Sequence, residues 1–187
     1  MLFADRQRLL ELLRTHSFER RQVTLASGRT SNFYIDCKRT TLRAEGHWLV
    51  GRLLLERVLR EAPEARAVGG LTLGADPIAS AVSMASWMAA RPLEAFIVRK
   101  EAKGHGTKRW IEGPALPPGT PVAIVEDVVT TGGSGLLAAE KATEAGLRVL
   151  GIFALVDRRE GGREAVEARG LRLYALFDRS DFLGPEE

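Results

Sequence analysis

Residues 122–134 read Val122-Ala123-Ile124-Val125-Glu126-Asp127-Val128-Val129-Thr130-Thr131-Gly132-Gly133-Ser134. The run opens as a short apolar strand. It passes two adjacent carboxylates and a loop of hydroxyls and glycines, and it meets a helical pattern from Gly135 to Gly146. A strand leading through such a turn into a helix is the unit of an α/β fold. The same run suits a phosphorylated sugar. Glycines let backbone N–H groups approach a phosphate closely, and the positive helix N-terminus favours the anion. Thr130, Thr131 and Ser134 add hydroxyl donors. Glu126 and Asp127 can accept from sugar hydroxyls or hold a hard cation such as magnesium. A plain turn capped by Thr131 or Ser134 needs neither acid. The run is no Walker loop, because no Gly-Lys-Ser/Thr follows. It is no dinucleotide fingerprint either, because its acids precede its glycines.

Outward from this run, strands are predicted at 67–71, 94–99, 121–126, 148–156 and 171–177, with helices at 77–89, 135–145 and 160–169. Apolar strands alternating with helices predict a mainly parallel sheet flanked by helices on both faces. Ligands in such sheets bind beyond the carboxyl ends of the strands. Three charged pairs fall there: Glu126-Asp127, Arg99-Lys100 and Asp157-Arg158. The N-terminal part differs in character. A helix is predicted over 5–15 with Asp5 as N-cap. Two strands joined by a polar turn are predicted within 22–42, and a further helix at 44–61.

The segment 100–120 is a long connection between strands, and such loops are usually functional. It holds Lys100, Lys103 and Lys108, three of the five lysines in an otherwise arginine-rich chain, together with His105. A mobile loop of this composition can fold over a pyrophosphate, neutralise it and exclude water.

A chain of 187 residues, 45% hydrophobic and 27% charged, fits one globular domain with a full core. The formal charge of +3 makes no strong case for nucleic acid. No apolar run is long enough to span a bilayer. Cys37, the single cysteine, fits a cytoplasmic protein and reads as a core residue rather than a nucleophile.

The 122–134 run resembles the phosphoribosyl pyrophosphate motif of type I phosphoribosyltransferases. Other segments narrow the likeness to orotate phosphoribosyltransferases. Arg99-Lys100-x-x-Lys103-x-His105-Gly106 resembles their mobile catalytic loop. Thr24-Leu25-x-Ser27-Gly28-x-x-Ser31 with Phe33-Tyr34-Ile35-Asp36 resembles their N-terminal hood. Gly70-Leu71-Thr72-Leu73-Gly74-Ala75-Asp76-Pro77 is similar to their pyrophosphate loop, and Asp157-Arg158 to their base-recognition segment. The chain departs from the common pattern at Ala26 and at Leu73-Gly74, where many members carry lysines, and at Glu126, where Asp is common.

The resemblance implies the type I phosphoribosyltransferase fold as a single domain over 1–187. Residues 1–42 would form the N-terminal helix and hood, 43–177 the α/β core and 100–113 the mobile loop. It implies transfer of a phosphoribosyl group from phosphoribosyl pyrophosphate to orotate, with magnesium held largely by substrate oxygens and water and by Glu126 and Asp127 as candidate ligands. Catalytic residues would be Lys100, Lys103, His105 and Asp127. The donor would be held by Arg99, Lys100, Lys103, His105, Leu73, Gly74, Glu126, Asp127, Val128, Val129, Thr130, Thr131, Gly132, Gly133 and Ser134. Orotate would meet Phe33, Tyr34, Thr130 and Arg158, whose planar fork matches a carboxylate. Alternation along a strand leaves only one of Phe33 and Tyr34 to cover the ring. The family implies a homodimer whose loop acts across the interface. Two alternatives stay open at this point: transfer to another base, and a non-enzymatic regulator that senses phosphoribosyl pyrophosphate.

Overall fold

The structure, a computed structural model, describes residues 2–24, 30–101 and 110–184. The chain opens with α1 (Leu2–His16), β1 (Phe18–Glu19), β2 (Val23–Thr24), β3 (Thr30–Ser31), β4 (Tyr34–Ile35), α2 (Lys38–Thr41) and α3 (Ala44–Glu61). It continues with β5 (Ala67–Leu71), α4 (Ala75–Met88), β6 (Glu94–Val98), β7 (Ile111–Glu112) and β8 (Pro121–Val129). It closes with α5 (Gly133–Glu144), β9 (Arg148–Asp157), α6 (Gly162–Glu167), β10 (Leu173–Asp178) and α7 (Arg179–Leu183).

Among the described residues, six strands form one sheet in the order β10-β9-β8-β5-β6-β7. Neighbours are parallel except β7, which runs antiparallel along β6. Parallel pairing places the ends of β5, β8 and β9 on one rim, as the alternating pattern predicts. Burial on both faces explains the continuous apolar strands. In β8, Ala123 and Val125 join the core under α1, α3 and α4, while Val122 and Ile124 join the core under α5. Each large side chain so buried contributes roughly 2 kcal/mol.

Several expectations are corrected. Asp5 lies inside α1 and pairs with Arg52 at 2.8 Å instead of capping the helix. Strand β8 continues through Glu126 and Asp127 to Val129, because β9 holds it in register as far as Asp157. The N-terminal strands make two small antiparallel pairs, β1 with β4 and β2 with β3. The predicted helical stripe of α1 packs inward: Leu9, Leu10, Leu12 and Leu13 share a core with α3 and the sheet. Residues 111–112, expected within the 100–113 loop, form β7.

Candidate active site

The turn after β8 is shaped by two glycines. Gly132 has φ of 81° and serves as N-cap of α5, its carbonyl accepting from Leu136 N at 3.0 Å. Gly162 lets α6 approach from behind: an added Cβ there would strike Val129 and the Thr130 carbonyl. Arg158 N donates to Val129 O at 2.9 Å and fixes the stem of the turn. The result is a cavity of about 200 Å³ lined by Glu126, Val128, Val129, Thr130, Thr131, Gly132, Gly133, Ser134 and Gly135. Thr131, Gly133 and Ser134 are exposed at its mouth. The first amides of α5 have no earlier helical carbonyl to bond, so the cavity combines N–H donors, hydroxyls and a positive helix end.

The two acids at the end of β8 have different surroundings. Glu126 is 5% exposed, near Gly135 in the first turn of α5. Its Oε2 is buried with no hydrogen-bond partner among the described residues. Burial first, and then the neighbouring Asp127, push its carboxyl up to about 9. An unpaired buried carboxyl oxygen is costly, and it fits a site awaiting a hydroxyl or a cation. Asp127 is half-buried and accepts from Val128 N at 2.9 Å. Its carboxylate stands against Gly74, where an added Cβ would collide with it. Helices α4 and α5 cover opposite faces of the sheet, so the acids serve different neighbours.

Gly74 belongs to the turn between β5 and α4. Thr72 N donates to Val98 O at 2.9 Å, and Thr72 Oγ1 donates to Asp76 Oδ2 at 2.7 Å. The Thr72–Leu73 peptide is cis, and the Leu73 side chain is exposed. This turn therefore offers main chain, not a cation, beside Asp127. The sequence reading overlooked Lys38. Its ammonium lies 2.7 Å from Asp36 and its pKa is raised, first by that bond and further by the charge of Asp127. The available signal was its rarity: it is one of five lysines. Cys37 beside it is fully buried, and burial, then Asp127 and Asp36, raise its thiol well above the ordinary value. It is a core residue, not a nucleophile.

Arg99 and Lys100 follow β6. Arg99 N donates to Trp110 O at 2.8 Å and its Nη1 to Glu112 Oε1 at 3.3 Å, which ties the two stems of the loop together. Lys100 is exposed. Lys103 and His105 lie outside the described residues, as do Leu25, Ala26, Ser27 and Gly28. Arg158, in contrast, is 8% exposed, and its Nη2 donates to Phe33 O at 2.8 Å and to Glu160 Oε1 at 2.9 Å. Phe33 requires a correction. Its ring is fully buried, 5.1 Å from Phe18 and 5.4 Å from Phe182, so it packs the hood and does not present a face to a ligand. Tyr34 is half-buried, with the Arg21 guanidinium 3.9 Å over its ring.

The chain that builds this site is similar to known proteins along almost its whole length. An orotate phosphoribosyltransferase of Sorangium cellulosum is 55% identical over 181 residues, spanning 96% of this chain and 94% of its own length. The chain belongs to the orotate phosphoribosyltransferase family. Two solved structures of Mycobacterium tuberculosis orotate phosphoribosyltransferase agree. The one with Fe(III) dicitrate has a TM-score of 0.83 at 43% identity, over 95% of this chain and 98% of that one. The one with 5-phospho-α-D-ribosyl 1-diphosphate has a TM-score of 0.78 at 37% identity, over 96% of this chain and 92% of that one. No family model matches the chain. The orotate phosphoribosyltransferase fold is thus established here, with a mainly parallel central sheet between helical layers. No described helix is long and apolar enough to cross a membrane.

Proposed function

We infer that the protein transfers the 5-phosphoribosyl group of phosphoribosyl pyrophosphate to N1 of orotate, giving orotidine 5′-phosphate and pyrophosphate in pyrimidine biosynthesis. The observation that carries this reading is the cavity at the start of α5, with Glu126 in its lining and Asp127 next along β8 against Gly74, in a chain of this family. The anomeric C–O bond breaks and a C–N bond to N1 forms. Positive charge develops on the ribose ring and negative charge on the departing diphosphate, so the protein must stabilise charge and not supply a nucleophile.

Residues 128–134 cradle the 5′-phosphate through amides and hydroxyls. Glu126 and Asp127 bind the ribose hydroxyls, and Asp127 faces the developing cation. The main chain at Leu73 and Gly74 receives the diphosphate beside Asp127. Lys100, Lys103 and His105, with Arg99, clamp the leaving group, and Lys103 or His105 donates a proton to it. Tyr34, Thr130 and Arg158 hold the base, Arg158 through the orotate carboxylate. No cluster of three or more His, Cys, Asp or Glu suited to a metal occurs among the described residues, while the two acids and the buried Glu126 oxygen fit a cation carried in with the substrate. Glu126 and Asp127 would hold magnesium brought in with the substrate, which would supply neutralisation of the departing diphosphate charge. The active unit is a cytoplasmic homodimer in which the 100–110 segment serves the partner's site.

The test is the fall in orotate absorbance with phosphoribosyl pyrophosphate and magnesium, repeated with Lys103→Ala and Asp127→Asn. Loss of about 10²-fold or more in each variant is expected. Pyrophosphate release with hypoxanthine or uracil but not with orotate would overturn the choice of base.

A further inference from the structure

Two consecutive hood residues are held by arginines from distant parts of the chain. Arg158 Nη2 donates to the Phe33 carbonyl at 2.8 Å. Arg179 Nη2 donates to Asn32 Oδ1 at 2.5 Å. Both guanidinium groups meet one carboxylate, Glu160, whose Oε1 lies 2.9 Å from Arg158 and 4.0 Å from Arg179. They also flank the Phe33 ring, at 5.5 Å and 5.7 Å from its centroid. The Glu160 side chain is only 12% exposed, so water and salt screen this cluster weakly.

The placement of Arg179 is itself fixed. It is the first residue of α7, whose N-cap Asp178 forms a capping box with Asp181. Arg6 Nη2, from α1, bonds Asp181 Oδ1 at 3.0 Å and Leu176 O at 3.1 Å. Neighbouring charges sit in pairs of their own: Arg159 with Asp178 at 2.5 Å and Arg163 with Asp157 at 3.2 Å. Glu160, two residues from Arg158, pairs with that arginine locally, and Arg158 reaches the hood at Phe33 O. Arg179 adds a second link from Glu160 to the hood, at Asn32.

On the reading that Arg158 receives the orotate carboxylate, we propose that Arg179 is a positioning residue for the base. Through Glu160 and Asn32 it holds Arg158 and the hood segment in one arrangement, with Tyr34 two residues beyond. Its bonds to Glu160 and Asn32 lie on the side of Arg158 and the hood, so its effect falls on orotate and not on the donor.

Steady-state kinetics of Arg179→Gln test this. KM for orotate is expected to rise roughly tenfold, the scale of one charge-assisted hydrogen bond. KM for phosphoribosyl pyrophosphate and kcat should stay within about twofold. Arg179→Lys, which keeps the cation near Glu160, should recover most of the loss. Asn32→Ala should also raise the orotate KM, and combining it with Arg179→Gln should add little, because both break one tether. If Arg179→Gln does not fold, Asn32→Ala alone carries the same KM comparison. The proposal is overturned if both KM values rise together, if Lys behaves like Gln, or if the two effects add in full. A wild-type protein inactive on orotate would instead overturn the reading of the base, which separates the two failures.

Discussion

At the scale of single residues, Glu126 is the group whose chemistry departs furthest from expectation. The sequence presents it as one of two adjacent carboxylates. Its burial under the phosphate turn gives it a folded pKa of about 9 against an ordinary 4.5. Between those values the folded protein keeps a proton that the unfolded chain releases. The stabilisation is complete below the ordinary value and is lost as pH rises towards 9. Glu126→Gln removes the titration. Its melting temperature relative to wild type should therefore climb from about pH 5 to about pH 9. A difference that stays flat across that range would contradict the assignment. Phe33 shows a different limit of sequence reading. The dipeptide Phe33-Tyr34 says that one ring faces inward, but not which. The choice is made by Phe18 and Phe182, the latter 149 positions away (182 − 33), whose rings close around Phe33.

Among elements, the turn from β5 into α4 carries a clear geometric demand. Gly74 leaves room for the Asp127 carboxylate, and any side chain would push the two apart. Gly74→Ala should lower kcat/KM for phosphoribosyl pyrophosphate by about 10²-fold, the cost of a displacement of about 1 Å at reacting groups. Retention of wild-type kinetics by this variant would remove the turn from the site. The sequence made the glycine visible as part of a resemblance, but not its neighbour, because β5 and β8 are far apart in the chain. The parallel strands and their helices were legible from two-sided apolar runs. The extension of β8 to Val129 was not, because the acids looked like the start of a loop. Ile111–Glu112 and Arg179–Leu183 were equally hidden: two and five residues are too short to display a period. Yet α7 presents Arg179, and β7 presents Glu112 to Arg99.

For the whole molecule, the proposed homodimer is tested by complementation between subunits. If the 100–110 segment serves the partner's site, mixing Lys103→Ala with Asp127→Asn should restore activity that neither variant has alone, since some mixed dimers then hold one intact site. Mixtures no more active than their parts would confine the segment to its own subunit. A division of labour of that kind would not be legible in periodicity or composition, because those report on one chain's own core and not on a neighbour.

Trp110 gives the molecule a readout of that event. It stands at the foot of the 100–110 segment, with the Lys141 ammonium 4.7 Å from its ring centroid and its carbonyl bonded to Arg99. The other two tryptophans, Trp48 and Trp87, sit on the outer surfaces of α3 and α4. With those two replaced by Phe, the protein carries one indole beside a cation, next to the pairing of β6 with β7. Movement of the stem would then register as a change in emission, without an attached dye.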